Sequence, residues 1–213
     1  MIAGADLLRA VVTVAGELIP STTTGVLLAD AGDRLEIAAT SDDTATVLEL
    51  LQAGVGEGPC VDSYRRGDVV SVDDIRDEAE WPVFRDAALA QGVLAVHSVP
   101  LRLREATVGS MNLFRSTAGA WTDADTSAAQ ALADLATIGI LQSREVDRAH
   151  ERSEQLQHAL DSRVLIEQAK GFVAVRRDMS PAEAFDVIRA HARQSRQPLG
   201  EVAEQIVSRR LEL

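Results

Sequence analysis

From Thr122 to Val175 the chain runs for 54 residues with no proline and only two glycines, Gly139 and Gly171, a pattern that calls for one long helix. Thr122 or Asp123 is suited to cap it, and Asp125 falls in the first turn, where the helix dipole favours negative charge. Val146, Ala149, Ser153, Leu156 and Leu160 follow at spacings of 3, 4, 3 and 4, a coiled-coil seam over two heptads. The seam is imperfect: Gln142 precedes it, and Arg163 and Glu167 fall on its continuation. A helix of this length exceeds what one small domain can cover. Most of it is expected to pack against another chain in a parallel dimer; a solvated linker helix is the alternative.

The net charge of −12 is unevenly held. From Ser153 to Leu213 nine basic residues meet nine acids, so residues 1–152 carry the whole excess, with twelve basic against twenty-four acidic residues. Between Arg163 and Arg196 seven basic residues stand against four acids. The acidic part repels polyanions and the C-terminal part tolerates one, which implies two domains with different partners. No apolar run approaches the roughly 20 residues of a membrane span, so no membrane partner is expected. "MIAGADLLRAVVTVAGEL" lacks a basic start and carries acids, which argues for an amphipathic helix and against a signal peptide. The single cysteine, Cys60, excludes an internal disulfide and fits a reducing cytoplasm.

Ahead of the long helix, strand and helix signals alternate. "TGVLLAD" and "RLEIAATS" flank the turn signal "AGD" and read as a hairpin. "TATVLELLQAG" is a short helix ended by Gly54; "VGEGPCVDSYRRGD" is a loop entering another, followed by the strand "VVSVDDI". "EAEWPVFRDAALAQG" gives a helix ending at Gly92, and "VLAVHSVPLRL" and "ATVGSMNLFRS" are two longer strands joined by a polar turn at Arg104–Glu105. The order predicts an α+β domain, one antiparallel sheet with helices packed beside it.

Beyond Arg177 two short helices are expected. Ser180, Pro181 and Glu183 form a capping box with proline at the first helical position, ahead of Ala184, Phe185, Ile188 and Ala192 as the buried face. Pro198 opens the last helix, with Leu199, Val202, Ala203, Ile206 and Val207 on one stripe. With the end of the long helix these make a three-helix unit. Within it, "IEQAKGF" holds the only lysine of the chain, Lys170, beside Gly171. Gly171 is read as a point of close approach for the returning helices. Lys170, in line with Arg163 and Arg177 at seven-residue steps, is read as facing phosphate; a solvated helix face is the alternative.

The segment "RVLIEQAKGFVAVRRDMSPAEAFDVIRAHARQSRQPLGEVAEQIV" resembles the ANTAR domain, the RNA-binding antiterminator module of bacterial regulators, through "I-x-x-A-K-G", "S-x-x-E-A-F-x-x-I-R-x-x-A" and "L-x-E-V-A-x-x-I-V" in that order over residues 163 to 207. Ala169, Lys170, Gly171, Ala184, Arg189 and Ala192 fall on the family's motif positions, and Ala174 departs from the bulkier residue often found there. The resemblance implies a dimer that binds paired stem-loops in nascent leader RNA and keeps a terminator hairpin from forming. It assigns RNA contact to Lys170 and Arg189, with Arg163, Arg176 and Arg193 as nearby phosphate binders.

The preceding part resembles a GAF domain, through "GVGEGP" before a short helix, "VVSVDDI", "VHSVPLRLREATVGSMNLFRS" and the long exit helix. The implied layout is a GAF-like sensor over residues 1–122, a coiled-coil signalling helix over 123–160 and an ANTAR unit over 161–213. GAF domains usually hold a small molecule between sheet and loops. Five residues are candidates to line such a pocket: Cys60, Tyr64, Trp81, Phe84 and His97. Each has a plainer reading. Cys60 is a bilin or redox site, or a small buried residue. His97 is a haem ligand or pH sensor, or an ordinary core or surface histidine. Tyr64, Trp81 and Phe84 form a lid, or core. The cofactor is left unknown. Sulfoxide reduction on this fold resolves a sulfenic acid with a second thiol, and this chain has one. No metal-ligand spacing, nucleophile elbow or phosphate loop occurs either, so a regulator is expected, and not an enzyme.

Overall fold

Five strands, the two longest buried on both faces, organise the first half of the protein. In the computed structural model, which describes residues 2–19 and 22–213, the strands are β1 (Thr22–Ala29), β2 (Leu35–Thr40), β3 (Val70–Val72), β4 (Ala95–Leu103) and β5 (Ala106–Arg115). They form one antiparallel sheet in the order β2-β1-β5-β4-β3. Arg104 takes a left-handed conformation (φ 57°) in the tight β4–β5 turn. The helices are α1 (Ile2–Leu18), α2 (Asp43–Val55), α3 (Pro59–Arg66), α4 (Pro82–Ala90), α5 (Asp123–Arg177), α6 (Pro181–Ser195) and α7 (Leu199–Val207). The chain divides into two compact units, residues 1–145 and 146–213.

Each sheet face has its own core. Leu8, Val11, Val12 and Ala15 of α1 and Ala129, Leu132, Ala133, Ala136 and Ile140 of α5 cover Val26, Ala95, Val99, Met111 and Leu113. On the other face Ala45 and Leu48 of α2 and Phe84 and Ala88 of α4 pack on Val72, Val96 and Phe114. The expected elements are present, with two local differences. Helix α2 runs one residue past Gly54, to Val55, and Gly56 with its left-handed backbone (φ 75°) supplies the cap. "VVSVDDI" yields only a three-residue strand, because Asp74 caps a short 3-10 turn at Ile75–Asp77.

Helix α5 covers 55 residues and opens as expected, with Thr122 Oγ1 accepting from the Asp125 N–H at 3.1 Å. Its two glycines have different surroundings. A Cβ on Gly139 would strike Leu7 of α1, whereas one on Gly171 would meet nothing within 4 Å.

In the second unit Ala169, Val173 and Ala174 of α5, Ala184, Ile188 and Ala192 of α6, and Val202, Ala203 and Ile206 of α7 form the core. Alanine-rich seams let these helices pack closely. The glycine in close approach here is Gly200 of α7, where a Cβ would meet the Ser162 side chain of α5, so the close-approach role expected of Gly171 belongs to Gly200. Phe185 is half-buried and not fully enclosed. The capping box is complete: Glu183 N–H donates to Ser180 Oγ at 3.3 Å and Ser180 N–H donates to Glu183 Oε2 at 2.8 Å. Removing the hydroxyl orphans a helix-end N–H. Ser180→Ala is expected to cost about 1 kcal/mol, read as a lower urea midpoint for loss of helical ellipticity.

Candidate nucleic-acid interface and sensor cluster

Three of the RNA-contact candidates lie where α5 meets α6. Lys170 Nζ sits 5.7 Å from the centre of the Phe185 ring, and the Arg189 guanidinium lies at the same 5.7 Å. Cations over an aromatic face gain quadrupole attraction, so one half-buried ring gathers two charges from two helices. Arg193 follows Arg189 by one turn on α6 and is exposed. Each gathered cation also has a resident acid: Lys170 bonds Glu167 at 2.9 Å and Arg189 bonds Asp186 at 2.6 Å. Lys170 therefore leans onto α6, and the open face expected of it belongs to Gly171. Arg176 stands elsewhere, paired at 2.5 Å with Glu212. Arg163 is exposed two turns before Lys170 and, among the described residues, has no acidic partner at salt-bridge distance. This arrangement can accept phosphates through Lys170, Arg189 and Arg193 and offers a ring edge to a base.

The five sensor candidates do not converge. Trp81 and Phe84 share the apolar core beneath α2 and α4. Cys60 is wholly buried at the start of α3. Tyr64, one turn on, lines a surface groove of about 380 Å³ with Asp33, Arg34 and Arg65 and donates its hydroxyl proton to Asp33. His97 lies on the opposite sheet face, its ring 5.3 Å from Trp121 and its Nδ1 2.6 Å from Ser71 Oγ. Burial holds the His97 imidazole below its usual value, against a smaller opposing pull from Asp125.

A buried polar layer between α2, α3 and the sheet was not foreseen. Glu49 is fully enclosed; Asn112 Nδ2 donates to its Oε1 at 2.6 Å and Gln52 Nε2 to its Oε2 at 3.2 Å. Gln52 Oε1 in turn accepts the Cys60 N–H at 3.0 Å. Gly25 of β1 makes room, since a Cβ there would collide with the Glu49 side chain. Burial pushes the Glu49 carboxyl up to about 8, partly offset by the Asn112 bond. Burial, and then the nearby Glu49 charge, push the Cys60 thiol up as well. A thiol held protonated and out of solvent is a poor nucleophile. Ser98 Oγ, opposite Asn112 across the β4–β5 ladder, is buried without a hydrogen-bond partner among the described residues. The sequence carried a signal for this layer: Ala45, Leu48, Glu49 and Gln52 share one stripe of α2.

The first unit is a sheet with a helical layer on each face, and the second is a three-helix unit whose cations gather on one ring. The GAF domain model matches residues 5–141, more than half of the chain, and the ANTAR domain model matches residues 154–207. The chain belongs to the GAF family and carries a C-terminal ANTAR domain, a sensing module followed by an RNA-binding one. Solved structures agree on the fold of the first part. The chain is similar to a domain assigned to a two-component sensor histidine kinase of Sinorhizobium meliloti 1021 (TM-score 0.58, 14% identity, covering 68% of this chain and 95% of that one). It is also similar to the type II free methionine-R-sulfoxide reductase of Thermoplasma acidophilum (0.51, 18%, 65% and 93%). A third is GAF3 of Slr1393 from Synechocystis sp. PCC6803 in its photoproduct state (0.54, 15%, 68% and 98%). No curated protein matches the sequence. Among the described residues no helix is long and apolar enough to cross a membrane.

Proposed function

We propose that this protein is a signal-responsive, cytoplasmic antitermination regulator. Its ANTAR unit, as a dimer through the long helix, binds paired stem-loops in nascent leader RNA. The GAF unit controls that binding and performs no catalysis. The observation that carries the output is the joint seat of Lys170 and Arg189 on Phe185, within the ANTAR match. Arg193 adds a phosphate contact beside it, and Arg163 and Arg176 add contacts farther along α5. For the input, the α2–α3 layer holding Cys60 and Glu49 is the chosen site. Trp81 and Phe84 supply its apolar neighbours, Tyr64 its surface mouth, and His97 a separate element behind the sheet. A small molecule entering there favours one of two pre-existing states of the domain, and its differential affinity sets how far binding to RNA shifts.

The test is titration of an RNA with two tandem hairpins, read by fluorescence anisotropy. Lys170→Ala with Arg189→Ala is expected to weaken binding at least tenfold, since charge-assisted contacts are each worth about 1.5–3 kcal/mol. Undiminished affinity would overturn the site. One observation favours a second reading, a ligand-sensing dimeric regulator that docks a protein instead of RNA: Lys170 and Arg189 are each already neutralised by an acid. A wild-type RNA affinity that does not fall with added salt decides for it, because phosphate contacts must weaken with salt.

A further inference from the structure

A carboxyl group lies deep in the first unit with no cation beside it. Glu49 is fully buried, and the influences on its carboxyl are burial and the Asn112 side chain. Its two hydrogen-bond partners are both amides that donate: Asn112 Nδ2 to Oε1 at 2.6 Å and Gln52 Nε2 to Oε2 at 3.2 Å. A donor on each oxygen suits the anion, whereas a protonated carboxyl carries an O–H that needs an acceptor. Burial favours the opposite, neutral form. The hydrogen bonds therefore prepare for a charge that the layer itself leaves unbalanced.

A second polar atom in the same layer is unsatisfied. Ser98 Oγ is wholly buried and has no hydrogen-bond partner among the described residues. Gly25 of β1 pairs with Asn112 of β5, and Asn112 with Ser98 of β4. Directly paired residues share a face of the sheet, so the three form one row across three strands that are about 4.8 Å apart. Glu49 stands at the Gly25 end, where an added Cβ would strike its side chain. Ser98 ends the row on the other side. Cys60 of α3 faces the middle, its thiol beside the Asn112 and Ser110 side chains.

The chemistry of the open positions identifies the ligand. Each Glu49 oxygen keeps a lone pair beyond the one its amide engages, and Ser98 Oγ accepts as well. An anion is repelled by the carboxylate. Calcium and magnesium take about six or more oxygen ligands, and among the described residues no three His, Cys, Asp or Glu side chains gather to hold a metal ion. A primary ammonium brings one positive charge and three N–H donors, one for each of these acceptors. The layer admits only a small head, because a Cβ on Gly25 or Gly58 would already collide with Glu49 or Gln52. Gln52 also lines the outer groove with Ala53, Gly56, Val61 and Tyr64, which gives a short tail its way out. We infer that this layer is the seat of a primary ammonium ion, with Glu49 as its counter-charge and Ser98 Oγ as a further acceptor. This rests on the reading of the α2–α3 layer as the sensor input and gives that input a chemical class. Ammonium itself and the head of a short alkylamine supply the same chemistry. As the cation enters, a protonated Glu49 gives its proton to solvent, and Asn112 and Gln52 then donate to an anion. An ion pair in such a dry layer is stronger than one at the surface.

The experiment is isothermal titration calorimetry of the full-length protein with ammonium chloride and with methylammonium chloride. Potassium chloride and tetramethylammonium chloride at the same ionic strength are the controls, since both cations lack N–H donors. Saturable binding is expected from ammonium, methylammonium or both, and from neither control. Ammonium binding alone identifies the free ion as the source; tighter methylammonium identifies an amine with a tail. Glu49→Gln and Ser98→Ala are each expected to weaken binding at least about tenfold, the worth of a hydrogen bond to a charged group. Urea unfolding followed by tryptophan fluorescence checks that each variant is folded. Equal binding of a control, or undiminished binding by Glu49→Gln, overturns the site; undiminished binding by Ser98→Ala removes Ser98 from it. Anisotropy with the tandem-hairpin RNA separates this inference from the reading beneath it. A protein that binds the hairpins but neither ammonium nor methylammonium overturns the inference alone. Ammonium binding that leaves RNA affinity unaltered supports the site and overturns its role as the input.

Discussion

Glu49→Gln is expected to gain about 4 kcal/mol of stability relative to wild type as pH rises from 4 to 8. The carboxyl rises from an ordinary 4.5 to about 8 on folding because burial strips water from its charged form. A raised acid is protonated more in the folded than in the unfolded chain. Its contribution is therefore complete below about pH 4.5, declines as pH rises, and is gone above about pH 8. Glutamine stays neutral throughout and resembles the protonated acid in shape. Its amide oxygen can accept from Asn112 Nδ2 as Glu49 Oε1 does, while the bond that Gln52 Nε2 donates to Oε2 is lost at every pH and drops out of the comparison between pH 4 and pH 8. Urea titration followed by tryptophan fluorescence isolates the effect, since both tryptophans, Trp81 and Trp121, lie in residues 1–145. A difference between variant and wild type that is the same at pH 4 and pH 8 would refute a buried neutral carboxyl.

Gly109→Ala is expected to destabilise the same unit by at least about 3 kcal/mol. The new methyl group would be driven into the Leu27 carbonyl oxygen of β1, with Leu28 Cδ2 at 2.9 Å behind it. Leu28 pairs with Gly109 in the β1–β5 ladder at the centre of the sheet, so neither strand can retreat without losing register. The collision at Gly25 differs in kind, because there the obstacle is a side chain, Glu49. The variant should lose the cooperative tryptophan transition while helical ellipticity from residues 146–213 persists. A transition within about 0.5 kcal/mol of wild type, the range of harmless surface changes, would contradict the packing at this strand pair.

Much of the architecture was readable because it rests on period and punctuation. The absence of proline from Thr122 to Val175 marked α5, and Ser180, Pro181 and Glu183 marked the start of α6. What stayed hidden was angular. Lys170 and Gly171 are adjacent, so their side-chain directions differ by about 100° on a helix. Spacing alone did not say which of the two met α6. The structure turns Lys170 toward Phe185 of α6 and leaves Gly171 on the open face, the reverse of the facings read from sequence. Alternation along β4 likewise separates Val96 from His97 but does not tell which face carries which helices, and the five sensor candidates proved to lie on both. Glu49 went unnoticed because an acid on a short helix is ordinarily at the surface. Its burial depends on Gly25, Gln52 and Asn112, which are distant in sequence or unremarkable in type.

The ion pairs at the Phe185 ring carry a consequence for how any polyanion is received. Glu167 and Asp186 sit one turn before their cations on the same helices, so they travel with Lys170 and Arg189 and cannot diffuse away. An arriving phosphate competes with a tethered carboxylate and not with a mobile salt ion. Once displaced, that carboxylate remains beside the strand and repels it. Only a ligand that engages both cations together offsets two such repulsions, so on the proposed reading the paired acids would act as a threshold that discounts isolated phosphates and rewards a folded RNA presenting several at once.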